Sequence, residues 1–166
     1  MASVDRIKEE TLCFLAWGRI WSPLTPEEER ERAWRDLGLP GRFAEVSTGY
    51  WSVFHAGVPQ PPCPTLLHAA LALEGSSTRE DWMRAADYLE LSWNGQQLPP
   101  DQLGAACEVF AIAIDAEEPA IVSHLRQRYL RPWVEQARLK PEVAGSPVLG
   151  AMVEQFLDDL KQHAAS

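Results

Sequence analysis

The chain has 166 residues, of which 46% are hydrophobic, and it carries a formal net charge of -9 at pH 7. This length fits a single domain over residues 1–166, and the excess of acidic residues argues against nucleic acid or an anionic membrane as a partner, since both require clustered Lys and Arg. No run approaches the ~20 apolar residues that span a bilayer, and the N-terminus lacks the continuous apolar segment of a signal peptide. We therefore expect a cytoplasmic protein without stable membrane insertion.

Apolar residues spaced three and four apart predict helices along the first half of the chain. These predicted helices cover residues 4–21, 25–37, 42–54 and 65–73. Thr25 is the expected N-cap of the second helix, with Pro26 at its first position and Gly38 after its end. Five of the eight residues at 57–64 are Pro or Gly, which predicts a stiff extended segment, named here the proline loop.

The second half continues the helical pattern, with helices predicted over residues 77–91, 101–115 and 119–129 and from residue 146 onward. Ser77 is expected to cap its helix together with Glu80, and Pro132 is expected to bend or end the helix before it. The helix over residues 101–115 is apolar on nearly every face, which is typical of a helix in the middle of a bundle. The buried stripe predicted for the last helix consists of Leu149, Met152, Val153, Phe156, Leu157 and Leu160. With no alternating strand pattern, the sequence predicts an all-α, single-domain helical bundle.

Residues that carry catalysis or bind metals form no recognisable motif. A phosphate loop, a serine elbow and a His-Glu-x-x-His pair are all missing, and the three cysteines lie far apart, with Cys13 and Cys107 at apolar helical positions. No helical pairing links the histidines His55, His68, His124 and His163. We therefore predict no enzyme activity, no metal and no cofactor. The enzyme alternative, in which Asp101 works with His124 or His55 as acid and base, lacks a nucleophile.

Charge and aromatic content give two further expectations. The charge clusters at residues 27–31 and 126–131 are predicted to be solvated helix faces. Seven Trp exceed what a small core requires, and Trp is enriched where an apolar surface must also offer an N–H donor. Three are predicted to pack where helices cross: Trp17, Trp34 and Trp82. Three others lie near the proline loop, the polar linker at residues 94–97 and the 129–133 segment. They are Trp51, Trp93 and Trp133, and each fits either a core position or a place in a binding groove.

Several short segments follow one another in the order and spacing of a known protein family. They are residues 51–54, the proline loop, the break and helix start at 75–82, the Pro-Asp-Gln at 100–102, and the Leu-Arg-Pro-Trp at 130–133. This order resembles that of the TorD/DmsD/NarJ family of molybdoenzyme maturation chaperones over about residues 48–160. Gln102 and Tyr129 stand where most members carry His, which removes a titratable imidazole at both positions.

The resemblance implies a TorD-like helical chaperone that binds the N-terminal region of the apo catalytic subunit of a molybdopterin-dependent oxidoreductase. That region often contains a twin-arginine signal, and the chaperone assists cofactor insertion before export or membrane docking. A basic peptide with an apolar stretch requires carboxylates beside an aromatic groove. The peptide-binding residues predicted on this basis are Asp101, Gln102, Pro100, Trp51, Phe54, Pro61, Pro62, Trp93 and Trp133.

Alternatives remain at this stage. Asp101 alone also fits an ordinary N-cap. A generic helical adaptor or regulatory domain without a molybdoenzyme client is the second functional hypothesis. The client enzyme, the presence of a twin-arginine signal, and the choice between a monomer and a domain-swapped dimer are open.

Overall fold

The chain forms a bundle of helices. The computed structural model describes residues 2–93 and 95–162, with side chains from residue 9 onward, so that Asn94 of the predicted linker and His163 lie outside the described residues. The helices are α1 Ala2–Trp21, α2 Glu27–Asp36, α3 Phe43–Phe54, α4 Leu67–Ala70, α5 Gly75–Tyr88, α6 Leu103–Asp115, α7 Pro119–Leu125, a π-helical turn Arg126–Leu130, α8 Arg131–Ala137, α9 Pro141–Ala144 and α10 Pro147–Gln162. This part of the chain contains no strand, only an isolated bridge between Leu66 and Gln102. The prediction of an all-α fold is confirmed.

None of the described helices is both long enough and apolar enough to cross a bilayer.

Helix α6 lies at the centre of the bundle, as its apolar composition predicted. Ten of its thirteen residues are buried, including Cys107. It crosses α1 at backbone contact: a Cβ added at Gly104 would lie 2.7 Å from the Ser22 nitrogen, and one added at Gly18 would lie 3.1 Å from the Gly104 carbonyl oxygen. Glycine is needed at this crossing because any side chain at residue 104 would push the two helices apart.

An aromatic cluster fills the space between α1, α3, α8 and α10. All six residues predicted for the stripe of α10 are buried, and the Phe156 ring lies 4.8 Å from Trp17 and 5.6 Å from Trp21, measured between centroids. Trp21 in turn meets Trp133 edge-on at 5.0 Å. Such pairs add about 0.5–1.5 kcal/mol each beyond the area they bury. The core positions predicted for Trp17, Trp34 and Trp82 are confirmed by their burial.

Two predicted N-caps are wrong. No side chain caps α2, which begins one residue later than expected with Pro26 at the boundary position instead of Thr25. Helix α5 begins at Gly75, and Glu74, not Ser77, caps it by accepting hydrogen bonds from the backbone N–H groups of Ser76 and Ser77. These bonds, led by the one from Ser77, lower the pKa of Glu74 to about 2. The cap lies before Ser77 because α5 begins two residues earlier than predicted, which places Glu74 next to the free amides of the first turn.

Pro132 does not end the helix before it. The helical path continues through the π-helical turn into α8, and the Arg131 N–H donates to the carbonyl of Arg126, five residues back. Proline has no N–H and its ring crowds the carbonyl four residues earlier, so that a wider turn lets the helix continue. At this point the helix widens locally and does not end.

The proline loop is free of helix, as predicted, and the helix expected over residues 65–73 is reduced to α4. The peptide bond between Val58 and Pro59 is cis. Two of the three cysteines, Cys63 and Cys107, are buried, whereas Cys13 is half-buried and its thiol donates to Asp159 at 3.5 Å.

Candidate functional site

The segments that carry the family resemblance, although distant in sequence, meet around the proline loop. The Cys63 N–H donates to the Val53 carbonyl of α3 at 2.9 Å, and the Trp133 indole N–H donates to the Pro64 carbonyl at 2.8 Å. One residue further on, the Leu103 N–H at the start of α6 donates to the Thr65 carbonyl at 2.8 Å. The Cys63 N–H donates and the Pro64 and Thr65 carbonyls accept, so that main-chain groups hold the loop between α3, α6 and α8.

Asp101 lies at the centre of this arrangement and is fully buried. Its Oδ2 atom accepts hydrogen bonds from the His68 backbone N–H at 3.2 Å and from the His68 Nδ1 at 2.6 Å. Its Oδ1 atom is buried and accepts no hydrogen bond from the described residues. The N-cap role considered for Asp101 is wrong, because its carboxylate turns toward α4. The side chain of its partner His68 is 23% exposed, whereas that of Asp101 is not exposed at all.

Gln102 is the N-cap of α6. Its Oε1 accepts from the N–H groups of Gly104 at 2.8 Å and Ala105 at 3.3 Å. Its Nε2 donates to the Trp21 carbonyl at 2.9 Å and to the Thr65 hydroxyl at 3.2 Å. An amide supplies two donors and a two-lone-pair acceptor on one group, which a single imidazole cannot match. Gln102 is therefore a buried amide that joins α1, the start of α6 and Thr65, the residue that follows the proline loop.

The structure divides the predicted peptide-binding residues into two groups. The buried group consists of Asp101, Gln102, Pro100, Phe54 and Trp133. The group with surface to offer consists of Trp51, Pro61, Pro62 and Trp93. The indole N–H of Trp93 donates to the Leu98 carbonyl at 3.1 Å, which fixes the end of the linker before α6. Direct contact with a ligand is open to the second group.

Behind Trp51 lies a buried arginine that the sequence analysis missed. Arg30 was assigned to a solvated helix face, yet none of its surface is exposed, and Arg126 of the second charge cluster is also buried. The Arg30 guanidinium lies 5.1 Å from the Trp51 ring and 5.3 Å from the Phe43 ring, and it donates to the Ser22 carbonyl at 2.7 Å. Faces of aromatic rings attract a desolvated cation, which compensates for the lost water. The charged segment at residues 27–31 does not by itself show that Arg30 packs against aromatic rings of α3, so its burial was not predicted.

The same aromatic group surrounds His55. Its Nε2 atom lies 2.9 Å from the Tyr50 hydroxyl, which in turn donates to the Ile20 carbonyl. Burial, and secondarily the positive charge of Arg30, lower the pKa of His55 from 6.5 to about 4. His55 is therefore neutral at neutral pH and acts as a hydrogen-bonding side chain within the aromatic group.

A second polar cluster connects α5 with the helical segment around the π-helical turn. The Asp81 Oδ2 accepts from the Tyr129 hydroxyl at 2.5 Å and lies 2.8 Å from the His124 Nε2. Burial alone would raise the pKa of Asp81, but the bonds from Tyr129 and His124 outweigh it and hold that pKa below its usual value. Burial and the bond to Asp81 raise the pKa of Tyr129 to about 12, so that it remains a phenol. The sequence did not indicate Asp81 as the partner of Tyr129, because Asp81 lies on another helix, 48 residues earlier.

Comparison of the chain with protein-family models, with curated proteins and with solved structures finds no match. The resemblance to TorD-like chaperones therefore rests on the motif residues themselves.

Proposed function

We propose that the protein is a TorD-like chaperone that binds the N-terminal region of an apo molybdopterin-dependent catalytic subunit and performs no chemistry on it. The observation that carries the proposal is the meeting of residues 51–54, the proline loop, residues 100–102 and residues 130–133 in one hydrogen-bonded unit. Segments so far apart in sequence come together in this way when they build one feature of the fold. In this proposal that feature is the frame of a peptide-binding surface.

The frame has the stiffness that peptide binding requires. The buried Trp133 donates a hydrogen bond to Pro64, the last residue of the proline loop, and the buried Gln102 donates one to Thr65, the residue that follows it. The partly exposed Pro61 and Pro62 then present apolar surface with little conformational freedom left to lose. A rigid apolar surface favours binding of an apolar peptide stretch because few side chains have to be ordered on association.

Charge supports a basic partner. The chain carries a net charge of -9, which speeds the encounter with a positively charged segment and disfavours acidic competitors. In this proposal the apolar stretch of the client supplies most of the affinity and the charged pairs supply selectivity. Binding should therefore weaken as salt screens the exposed charges.

The test is a calorimetric titration with synthetic N-terminal peptides of molybdopterin-dependent subunits from the same organism. We expect saturable binding to one such peptide, with a Kd that rises with salt. A matched peptide whose arginines are replaced by glutamine should bind more weakly and with less salt dependence. Binding to none of these peptides, or equal binding to a scrambled sequence, contradicts the proposal and favours a generic helical adaptor.

A further inference from the structure

A groove runs along the surface between α5 and α7 and ends at the π-helical turn. It consists of two adjoining cavities of about 370 Å³ and 400 Å³, which share Asp81, Arg84 and His124 in their walls. We call it the α5–α7 groove. The hydrogen bonds of Asp81 to Tyr129 and His124 fix the distance between its two walls. A π-helical turn widens the helix at this point, and such turns are frequent at functional sites.

The two ends of the groove differ in chemistry. One end is polar and is lined by Glu74, Glu80 and Arg128 among others. The other end is mainly apolar, with Tyr88 and Ile121 in its wall, and Tyr88 is 65% exposed. A large aromatic side chain left open beside an apolar cavity is the usual form of an anchor point for a partner. The groove therefore suits a segment that is charged at one end and apolar at the other.

The charge of the groove indicates the sign of that segment. The walls hold the four carboxylates of Glu74, Glu80, Asp81 and Glu118 against the two guanidiniums of Arg84 and Arg128, which leaves a net charge of -2 with His124 not counted. Arg84 lies 3.4 Å from Glu80, and Arg128 lies 3.9 Å from Asp81, so that both cations already have acidic neighbours. The surplus is negative and complements a basic segment.

We propose that the α5–α7 groove receives the arginine-bearing part of the client's N-terminal peptide, with the arginines beside the surplus carboxylates and a flanking apolar residue against Tyr88 and Ile121. The longer apolar stretch of the peptide lies against the proline loop, as in the proposed function. This inference rests on the proposed function and assigns it a surface that the motif residues do not supply. Asp101, the carboxylate that the motif points to, is fully buried behind His68. The charge that meets the peptide therefore has to come from elsewhere, and the groove offers it next to an open aromatic ring.

The test titrates the arginine-containing client peptide described above into groove variants and matched controls. Tyr88→Ala should weaken binding roughly tenfold, the usual effect of removing an aromatic anchor from an interface. Glu118→Gln, which removes a carboxylate outside the Arg84–Glu80 and Arg128–Asp81 pairs, should weaken it less and should reduce the salt dependence. The matched controls are Leu139→Ala, whose side chain is 77% exposed, and Glu28→Gln on the exposed face of α2, and both should bind as the wild type does.

A second measurement keeps the test independent of the variants. Peptide binding to the wild-type protein should slow amide hydrogen exchange in residues 80–88 and 118–124 but not in α2. If the peptide binds the wild type while the groove variants bind equally well and exchange in these residues is unchanged, the groove assignment is overturned and the proposed function stands. If no such peptide binds the wild type, the proposed function and the groove assignment are both overturned.

Discussion

Replacing Asp101 with Asn removes the charge from a fully buried acceptor and should reduce stability, not peptide affinity. The carboxylate Oδ2 accepts two hydrogen bonds, both from His68, at 2.6 Å and 3.2 Å. These bonds hold α4 against the start of α6, where the Leu67 N–H also donates to the Asp101 carbonyl at 2.9 Å. The amide oxygen of the substituted side chain can keep part of this role, but its NH2 group takes the place of Oδ1, which is buried without a hydrogen-bond partner among the described residues.

The size of the effect follows from the bonds involved. Hydrogen bonds to charged groups contribute about 1.5–3 kcal/mol, and a neutral amide oxygen retains part of that, so we expect a loss of about 2 kcal/mol. For a chain of this length, that loss lowers Tm by roughly 4–8 °C. Urea unfolding followed by far-UV circular dichroism measures the change in the free energy of unfolding.

Two further variants separate this explanation from a general effect of removing a carboxylate. Asp87→Asn on the exposed face of α5 should change stability by no more than about 0.5 kcal/mol. Adding His68→Ala to Asp101→Asn should cost less than the sum of the single changes, because the two side chains share one interaction. If Asp101→Asn is as stable as Asp87→Asn but binds the client peptide more weakly, the reasoning is refuted and Asp101 contacts the peptide directly.

Three other changes have clear expected outcomes. The pKa of His55 falls from 6.5 to about 4 on folding. Between these two pH values the unfolded chain binds a proton that the folded protein does not. The free energy of unfolding should therefore decrease by up to about 3 kcal/mol as the pH is lowered from above 6.5 to about 4. Urea unfolding at about pH 7 and about pH 4.5 should show a smaller loss for His55→Gln than for the wild type, and equal losses contradict the assignment. Trp133→Phe leaves the buried Pro64 carbonyl without its donor and should cost about 1–3 kcal/mol by the same unfolding assay; a change below about 0.5 kcal/mol would show that the bond does not hold the loop. Gly104→Ala should destabilise the protein by about 1–3 kcal/mol, because the added Cβ would overlap the backbone at the end of α1. The matched control Gly150→Ala should be neutral or stabilising, since the nearest atom to its added Cβ is a carbonyl oxygen at 3.5 Å. Equal melting temperatures of the two variants would refute the close crossing.

Much of the fold could be predicted because it depends on local patterns. The spacing of apolar residues gave the bounds of α1, α3 and α10 to within a few residues and the full buried stripe of α10. The composition of the proline loop excluded helix for a stereochemical reason that no tertiary contact can override. The helix predicted over residues 65–73 is longer than α4, and α9 was not predicted, because four residues carry too little periodicity to be distinguished from a turn.

The site was harder to predict because its polar residues take partners from distant segments. Asp101 at the start of a helix has the sequence appearance of a cap, and only the position of His68, thirty-three residues earlier, shows that its carboxylate points elsewhere. Arg30 looks like any member of a charged surface run until aromatic rings from α3 enclose it. The hydrogen bond from Tyr129 to Asp81 in the wall of the α5–α7 groove joins two residues that lie 48 positions apart in sequence, and no local pattern indicates it.

Affinity capture of the protein from its native host, followed by mass spectrometry, tests the central claim most directly. The account predicts that an apo molybdopterin-dependent catalytic subunit is recovered with the wild-type protein and is lost when the N-terminal segment of that subunit is deleted. Recovery of the same subunit in equal amount without its N-terminal segment, or repeated recovery of unrelated proteins alone, would contradict it.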